Sequence, residues 1–247
     1  MGTQILTLGS DAEPDATFYI PPVWDGLLGW FFINDNRVKA ARNLRGDRDP
    51  AKVIGSPLFD AFAGTFQGNQ HYLQTDIVET EAMTIFSVIR SNDTRVDVAH
   101  MPMFYGTYRS PAANGGGDTF GVGLHLSQSA LRAIGARGNS VEDDVVAVAQ
   151  LGMADVTQWQ LIRHEVEAGV GVNRIYNRTL GLSADSGAPL PRLRSTGRFR
   201  IGSGYHEYGG ACQVPVWVPY SRILSPDECA ETEADIREKM AERGIIV

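Results

Sequence analysis

The segment from Gly197 to Val247 constrains the fold of this chain more than any other. Arg198, Phe199, Arg200 and Ile201 alternate polar and apolar, the pattern of a strand with one wet and one buried face, and Gly202-Ser203-Gly204 breaks it. After a loop, Val214-Pro215-Val216-Trp217-Val218-Pro219-Tyr220 forms a short apolar run rich in β-formers. Ser225-Pro226-Asp227-Glu228 then opens a helix, predicted over residues 226–243. Ser225 can accept from the Glu228 N–H while the Glu228 carboxylate reaches back to the Ser225 N–H. Pro226 occupies the first helical position, where its missing donor costs nothing.

The order strand, loop, strand, Tyr-x-Arg-x-Leu, capping box, terminal helix is similar to the closing segment of concanavalin A-like (laminin-G-like) jelly-roll domains. The phrase here is Tyr220, Arg222, Leu224, Ser225 and Glu228. A second stretch, Tyr72-Leu73-Gln74-Thr75 followed by Glu81 to Arg90, resembles the opening of the same domains, particularly those of tailed-bacteriophage virion proteins. The resemblance runs from about Trp30 to the C-terminus. It implies an all-β fold, a two-sheet antiparallel jelly-roll sandwich with a short C-terminal helix. Pro215 and Pro219 depart from the family pattern, and the final strand is therefore expected at an edge or with a bulge.

The rest of the chain agrees with a sandwich. Short β-type runs separated by turn residues recur from Lys52 onward, among them Lys52–Ile54, Gly64–Gln67, Ala82–Arg90, Phe120–Leu126 and Ala130–Ile134. Met101–Tyr108 reads as a strand with Phe104 and Tyr108 on one face and Tyr105 on the other. Trp159–Glu167 and Asn173–Arg178 read as antiparallel neighbours joined around Gly169–Gly171, whereas Val145–Leu151 fits strand or helix equally. Leu27 to Ile33 is too apolar to lie in water and belongs in a core or an interface. Residues 1–22, with Pro14, Pro21 and Pro22, are expected to form a leader or attachment segment, and residues 23–247 a single sandwich domain.

The balance of 22 basic against 29 acidic residues, net −7, argues against a nucleic-acid or anionic-membrane surface. The N-terminal residues have no basic n-region and no stretch reads as a membrane span, so synthesis in a cytoplasm without export or membrane insertion is expected. Cys212, placed in the late loop, and Cys229, in the helix, are expected to be free thiols.

Glycosidases of the same fold carry paired carboxylates on one strand face, and retaining hydrolysis needs them about 5–5.5 Å apart. The nearest groupings are Asp76 with Glu79 and Glu81, at a turn before a strand, and Glu165/Glu167, on what reads as the wet face of a strand. Neither fits the family phrase, so no catalytic residue is assigned and the chain is expected not to be an enzyme. The five histidines show no metal-ligand spacing, and no metal site or cofactor is assigned. Because laminin-G-like domains often hold calcium in loops, Asp93, Asp97 and Asp118 are possible donors by resemblance.

Binding is the remaining chemistry. Tyr205-His206-Glu207-Tyr208 places aromatics and polar groups on one loop, and Tyr105, Tyr108, Arg109 and Asn114 lie at another. Aromatic faces cover sugar rings while polar neighbours bond hydroxyls, so Tyr105, Tyr108, Arg109, Asn114, Tyr205, His206 and Tyr208 are the candidate carbohydrate contacts. The resemblance implies a non-enzymatic virion protein of a tailed bacteriophage at the tail tip, fibre or spike, binding a host-surface glycan. Other virion proteins and copies of itself, as in trimeric fibres, would be its partners. Two alternatives stay open: a capsid or tail decoration protein with no ligand, which would bury the aromatic loops against other chains, and a polysaccharide-degrading glycoside hydrolase.

Overall fold

The computed structural model describes residues 19–152 and 155–247, so most of the expected leader lies outside the described residues. In chain order the first strands are β1 (Phe31–Phe32), β2 (Lys52–Ile54), β3 (Leu58–Phe59), β4 (Gly64–Gln67), β5 (Tyr72–Val78), β6 (Met83–Arg90) and β7 (Met103–Gly106). The short β8 (Ser110–Pro111) and β9 (Asp118–Thr119) precede β10 (Val122–Leu126), β11 (Ala130–Arg137) and β12 (Val145–Gly152). Then come β13 (Gln160–Val166), β14 (Val170–Gly171), β15 (Asn173–Asn177), β16 (Leu182–Asp185), β17 (Leu190–Pro191), β18 (Arg198–Ile201) and β19 (Ala211–Tyr220). Helix α1 (Arg37–Ala41) is one short turn, and α2 (Pro226–Ala241) closes the fold.

Two antiparallel sheets carry the structure. The first runs β16-β15-β13-β6-β19-β4-β3, with β1 also pairing with β19, and the second runs β12-β11-β10-β7-β18-β5-β2. The expected all-β, two-sheet antiparallel jelly roll with a C-terminal helix is the architecture found. Between the sheets lies a core that includes Ile85, Tyr105, Leu124, Leu131, Ile162, Phe199 and Trp217. A second apolar cluster covers the outer face of the first sheet, where α2 and the Val23–Phe32 stretch pack on Phe86, Val88, Leu161, Val216 and Val218. That double cover explains why β6 and β19 are apolar nearly throughout rather than alternating.

The capping box of α2 forms as expected, with the Ser225 hydroxyl accepting from the Glu228 N–H and the Glu228 carboxylate accepting from the Ser225 N–H. Arg222 forks onto the same carboxylate, and that guanidinium, with the Ser225 N–H, pulls the Glu228 carboxyl down to about 2. The helix ends at Ala241.

Strand β19 is central rather than at an edge, and it does carry a bulge, a register shift against β6 between Gln213 and Val216. Pro215 and Pro219 accept at their carbonyls from the N–H groups of Ile33 and Leu28. Carbonyl and nitrogen of one strand residue point the same way, so the missing proline donors face the segment of residues 28–33 that contains β1 rather than the long partner β6. Cys212 lies within β19 rather than in a loop, and both cysteines are free and buried. The ambiguous Val145–Leu151 run is strand β12. Tyr19 packs with its ring centroid 5.0 Å from that of Trp30, and its hydroxyl donates to Asp235 of α2.

Candidate functional site

Helix α2 occupies the outer face of the first sheet, which leaves the outer face of the second for a site. There Met103, Tyr108 and Ile134 form a small buried cluster, flanked by the half-buried Phe120, Val148 and Tyr208. The β10–β11 hairpin sets this face. Val122, Leu124 and Leu126 on one strand, and Leu131 and Ala133 on the other, point into the core. The alternate positions, His125 and its cross-strand partner Arg132, therefore point outward.

The loop after β18 crosses this face and is stitched to it by backbone bonds. Tyr205 N–H donates to the Tyr108 carbonyl, Gly209 N–H to Val98 and Gly210 N–H to Met101. Close approach here depends on glycine: a Cβ on Gly68 would stand 1.9 Å from the Tyr208 carbonyl oxygen, and one on Gly204 would stand 2.6 Å from Met103 Sδ. Three non-glycine residues in the left-handed region, Asn69 (φ 63°), Arg109 (φ 59°) and Glu207 (φ 65°), meet at this loop. The Asn69 amide donates to the Glu207 carbonyl, and the Arg109 guanidinium lies 3.9 Å from the Glu207 carboxylate. Such backbone is held only where the surroundings over-determine it.

The result is an open polar cleft of about 310 Å3 whose walls include His125, Ser127, Gln128, Ser129, Arg132 and Tyr208. The Tyr208 ring lies 4.3 Å from the His125 ring and 5.2 Å from that of Tyr108, centroid to centroid. Burial pushes the Tyr208 phenol up and lowers His125 to about 4, which keeps that imidazole neutral. Tyr108 donates from its hydroxyl to Glu207 at 3.1 Å, and Arg109 covers the Phe120 ring at 4.4 Å.

Of the residues expected to contact sugar, Tyr108, Arg109 and Tyr208 therefore gather around one feature, and the exposed His206 sits on the same loop. Tyr205 is engaged locally, its hydroxyl bonded to both backbone groups of Arg198 and its ring 3.7 Å from the Arg200 guanidinium. Asn114 lies elsewhere, in a separate cleft with Glu81, Asn139 and Arg194. Tyr105 is corrected outright. It is 0% exposed and packs between Trp217 and Phe199 in the core. The reason is a register shift where β10 meets β7, which leaves Phe104 as the extra residue. Phe104 and Tyr105 then both point inward, contrary to strict alternation. His125 and Arg132 escaped the sequence reading, although the alternation of Val122–Leu126 and Ala130–Ile134 marks both as outward-facing.

The carboxylate pairs are also placed differently from expectation. Glu79 is 1% exposed and accepts from Thr107, from the N–H groups of Val122 and Ser195, and from Arg192. Glu165 is not on a wet face, because α2 covers it. It pairs with Arg163 at 3.1 Å, which in turn holds Glu233 of the helix at 2.9 Å. Of the aspartates named as calcium donors, Asp93 accepts from the Ala211 N–H and Asp97 caps a 3-10 turn beside His100. Among the described residues no three His, Cys, Asp or Glu side chains are grouped to hold a metal ion, and no helix is long and apolar enough to cross a membrane.

No family model and no curated protein sequence matches the chain. Solved structures do. A Trypanosoma rangeli sialidase in complex with sialic acid superposes with a TM-score of 0.59 at 14% identity, over 91% of this chain and 37% of that one. The receptor-binding domain of botulinum neurotoxin D gives 0.56 at 10% identity, over 86% of this chain and 54% of that one. The binding domain of botulinum neurotoxin DC in complex with SialylT gives 0.53 at 8% identity, over 83% and 50%. This chain thus spans about a third to a half of these neighbours, and at such identities the likeness is one of fold, a concanavalin A-like β-sandwich.

Proposed function

We propose that the chain is a non-enzymatic carbohydrate-binding β-sandwich whose ligand lies in the cleft walled by Tyr208. The observation that carries this reading is the joint placement of a half-buried aromatic with Ser127, Gln128, Ser129 and Arg132 in one open cleft. A tyrosine face takes the apolar side of a sugar ring while hydroxyl, amide and guanidinium groups bond its oxygens. Support also comes from neighbours on the same sandwich whose names concern sialic acid or receptor binding. The buried Glu79 and the helix-covered Glu165, both occupied by arginines, favour binding without hydrolysis.

The setting we propose is the tail tip, fibre or spike of a tailed bacteriophage, where the chain assembles with copies of itself and recognises a host-surface glycan. The stretch from Tyr72 to Thr75 and Glu81 to Arg90, most of which forms β5 and β6 here, supports that setting by its resemblance to the opening of virion domains. Mass spectrometry of purified particles tests the setting; its absence from them sinks it.

A glycan array tests the binding. Wild-type protein is expected to retain a defined set of glycans, and Tyr208→Ala to lose them with its melting temperature largely kept. An array on which wild-type protein binds nothing overturns the reading and favours a decoration protein without ligand.

A further inference from the structure

Arg132 is placed unlike most arginines in this protein. Several half-buried guanidinium groups elsewhere are matched: Arg109 with Glu207, Arg174 with Glu167, Arg194 with Glu81 and Arg222 with Glu228. Where no acid is present, other groups serve, as when Arg90 stacks 4.0 Å from the Trp159 ring and bonds Gln213, or Arg200 bonds Gln74 and the Gly204 carbonyl. Arg132 has none of this. Among the described residues no carboxylate lies within ion-pair distance of it, and its buried Nε makes no hydrogen bond. The chain has seven more acidic than basic side chains, so an acid partner was available in composition and, among the described residues, is missing in place.

Among the described residues its surroundings supply no counter-charge either. His125, opposite on β10, is neutral, and Tyr208, Ser127, Gln128 and Ser129 are uncharged at neutral pH. A guanidinium is planar and forked, and it matches a carboxylate or sulfate in a two-point contact that a neutral hydroxyl cannot equal. From this geometry we infer that the cleft selects an anionic saccharide, with the acid group seated on Arg132 and the ring against Tyr208. The inference rests on the carbohydrate-binding reading above and adds the charge of the ligand. Uronic acids, nonulosonic acids and sulfated sugars all present the required anion. The protein's net charge of −7 opposes such ligands at long range, so their binding must come from local contact rather than general attraction.

Arg95 provides the control. Its Nε and Nη1 are also without partners, and it lies next to Val96, whose carbonyl accepts from the Gln128 amide at 2.9 Å, but it does not wall the cleft.

The test is calorimetric titration of the full chain with oligogalacturonate, sialyllactose and a sulfated N-acetylglucosamine, each beside its neutral form: methyl esters for the two acids and the unsulfated sugar for the third. At least one acid is expected to bind about tenfold or more tighter than its neutral partner, the loss of one charge-assisted contact. Arg132→Gln is expected to abolish that difference, Arg132→Lys to keep part of it, and Arg95→Gln to leave it within about twofold. Which acid responds identifies the source of the anion. Equal binding of acid and neutral forms by wild-type protein overturns the inference but leaves sugar binding standing. An equal loss in Arg95→Gln and Arg132→Gln overturns it too, since net charge would then suffice. If no saccharide binds in either form, both the inference and the reading beneath it fall.

Discussion

The Tyr105 hydroxyl and His164 Nδ1 lie 3.2 Å apart in the middle of the sandwich. Tyr105 belongs to β7 of the second sheet and His164 to β13 of the first, so this contact ties the two layers through their polar atoms. Both residues are 0% exposed, and His164 Nε2 makes no hydrogen bond among the described residues. Burial, with the Arg192 charge nearby, lowers His164 to about 3. The imidazole is therefore neutral wherever the fold persists at ordinary pH.

Acid should loosen this fold earlier than its carboxylates alone would. An unfolded histidine takes up a proton near pH 6.5, whereas His164 and His125 resist until about 3 and about 4 in the folded state. The unfolded state binds more protons throughout that window. Stability is then complete above pH about 6.5 and declines as pH falls, by up to about 1.4 kcal/mol per unit for each histidine. Urea melts at pH 7 and pH 5 should show the decline, and a His125→Gln/His164→Gln double variant should flatten it. An unchanged slope in that variant would assign the acid sensitivity to other groups.

Arg137 fastens the end of β11 to the loops of the opposite layer. It is 0% exposed, and its guanidinium donates to the carbonyls of Glu167, Gly169, Val172 and Leu190 and to the Asn173 side chain. Among the described residues no carboxylate forms an ion pair with it, and burial lowers it to about 10. Arg137→Met should remove the cation but orphan several buried carbonyls, at a cost of about 1–3 kcal/mol for an unsatisfied group. Hydrogen exchange should rise locally at residues 167–173, and a variant as stable as wild type would show that water satisfies those carbonyls instead.

The cap of α2 gives a smaller and more local effect. Ser225→Ala removes the acceptor for the Glu228 N–H and should lower stability by about 1 kcal/mol. Since Arg222 holds the same Glu228 carboxylate, Ser225→Ala and Arg222→Ala should be non-additive in a double-mutant cycle of denaturation free energies. Strict additivity would mean that the helix start does not depend on the shared carboxylate.

That cap was legible in the sequence because a capping box is a local device, written within four consecutive residues. The largely apolar runs of β6 and β19 were equally legible, since cover on both faces leaves few polar positions to alternate. Tyr105 was not, because one extra residue in β7 reverses a face and the register of the partner strand decides it. Glu79 and Glu165 misled for a different reason. Acidic residues near turns or on amphipathic strands are ordinarily solvated, and only distant partners, Arg192 for one and the Arg163–Glu233 link to α2 for the other, make their burial tolerable. The cleft is assembled from β10, β11 and the Tyr205–Gly210 loop, segments far apart in sequence, so composition within any one of them says little about it.

The buried Glu79 also offers a way to separate binding from catalysis. Its carboxylate accepts from two backbone N–H groups, a threonine hydroxyl and Arg192, which leaves it no capacity to serve as acid or nucleophile. Glu79→Gln keeps the shape but strands the buried guanidinium of Arg192, and breaking a buried pair in this way costs about 3–5 kcal/mol. The variant should therefore melt markedly lower than wild type, and neither protein should release reducing ends from a panel of acidic and neutral polysaccharides. A catalytic Glu79 would behave in the opposite manner: wild type would turn over substrate, and the substitution would abolish turnover with little or no loss of stability. The two measurements together decide the matter, because an ion pair held for structure and a carboxylate held for chemistry respond in opposite directions to the loss of the same charge.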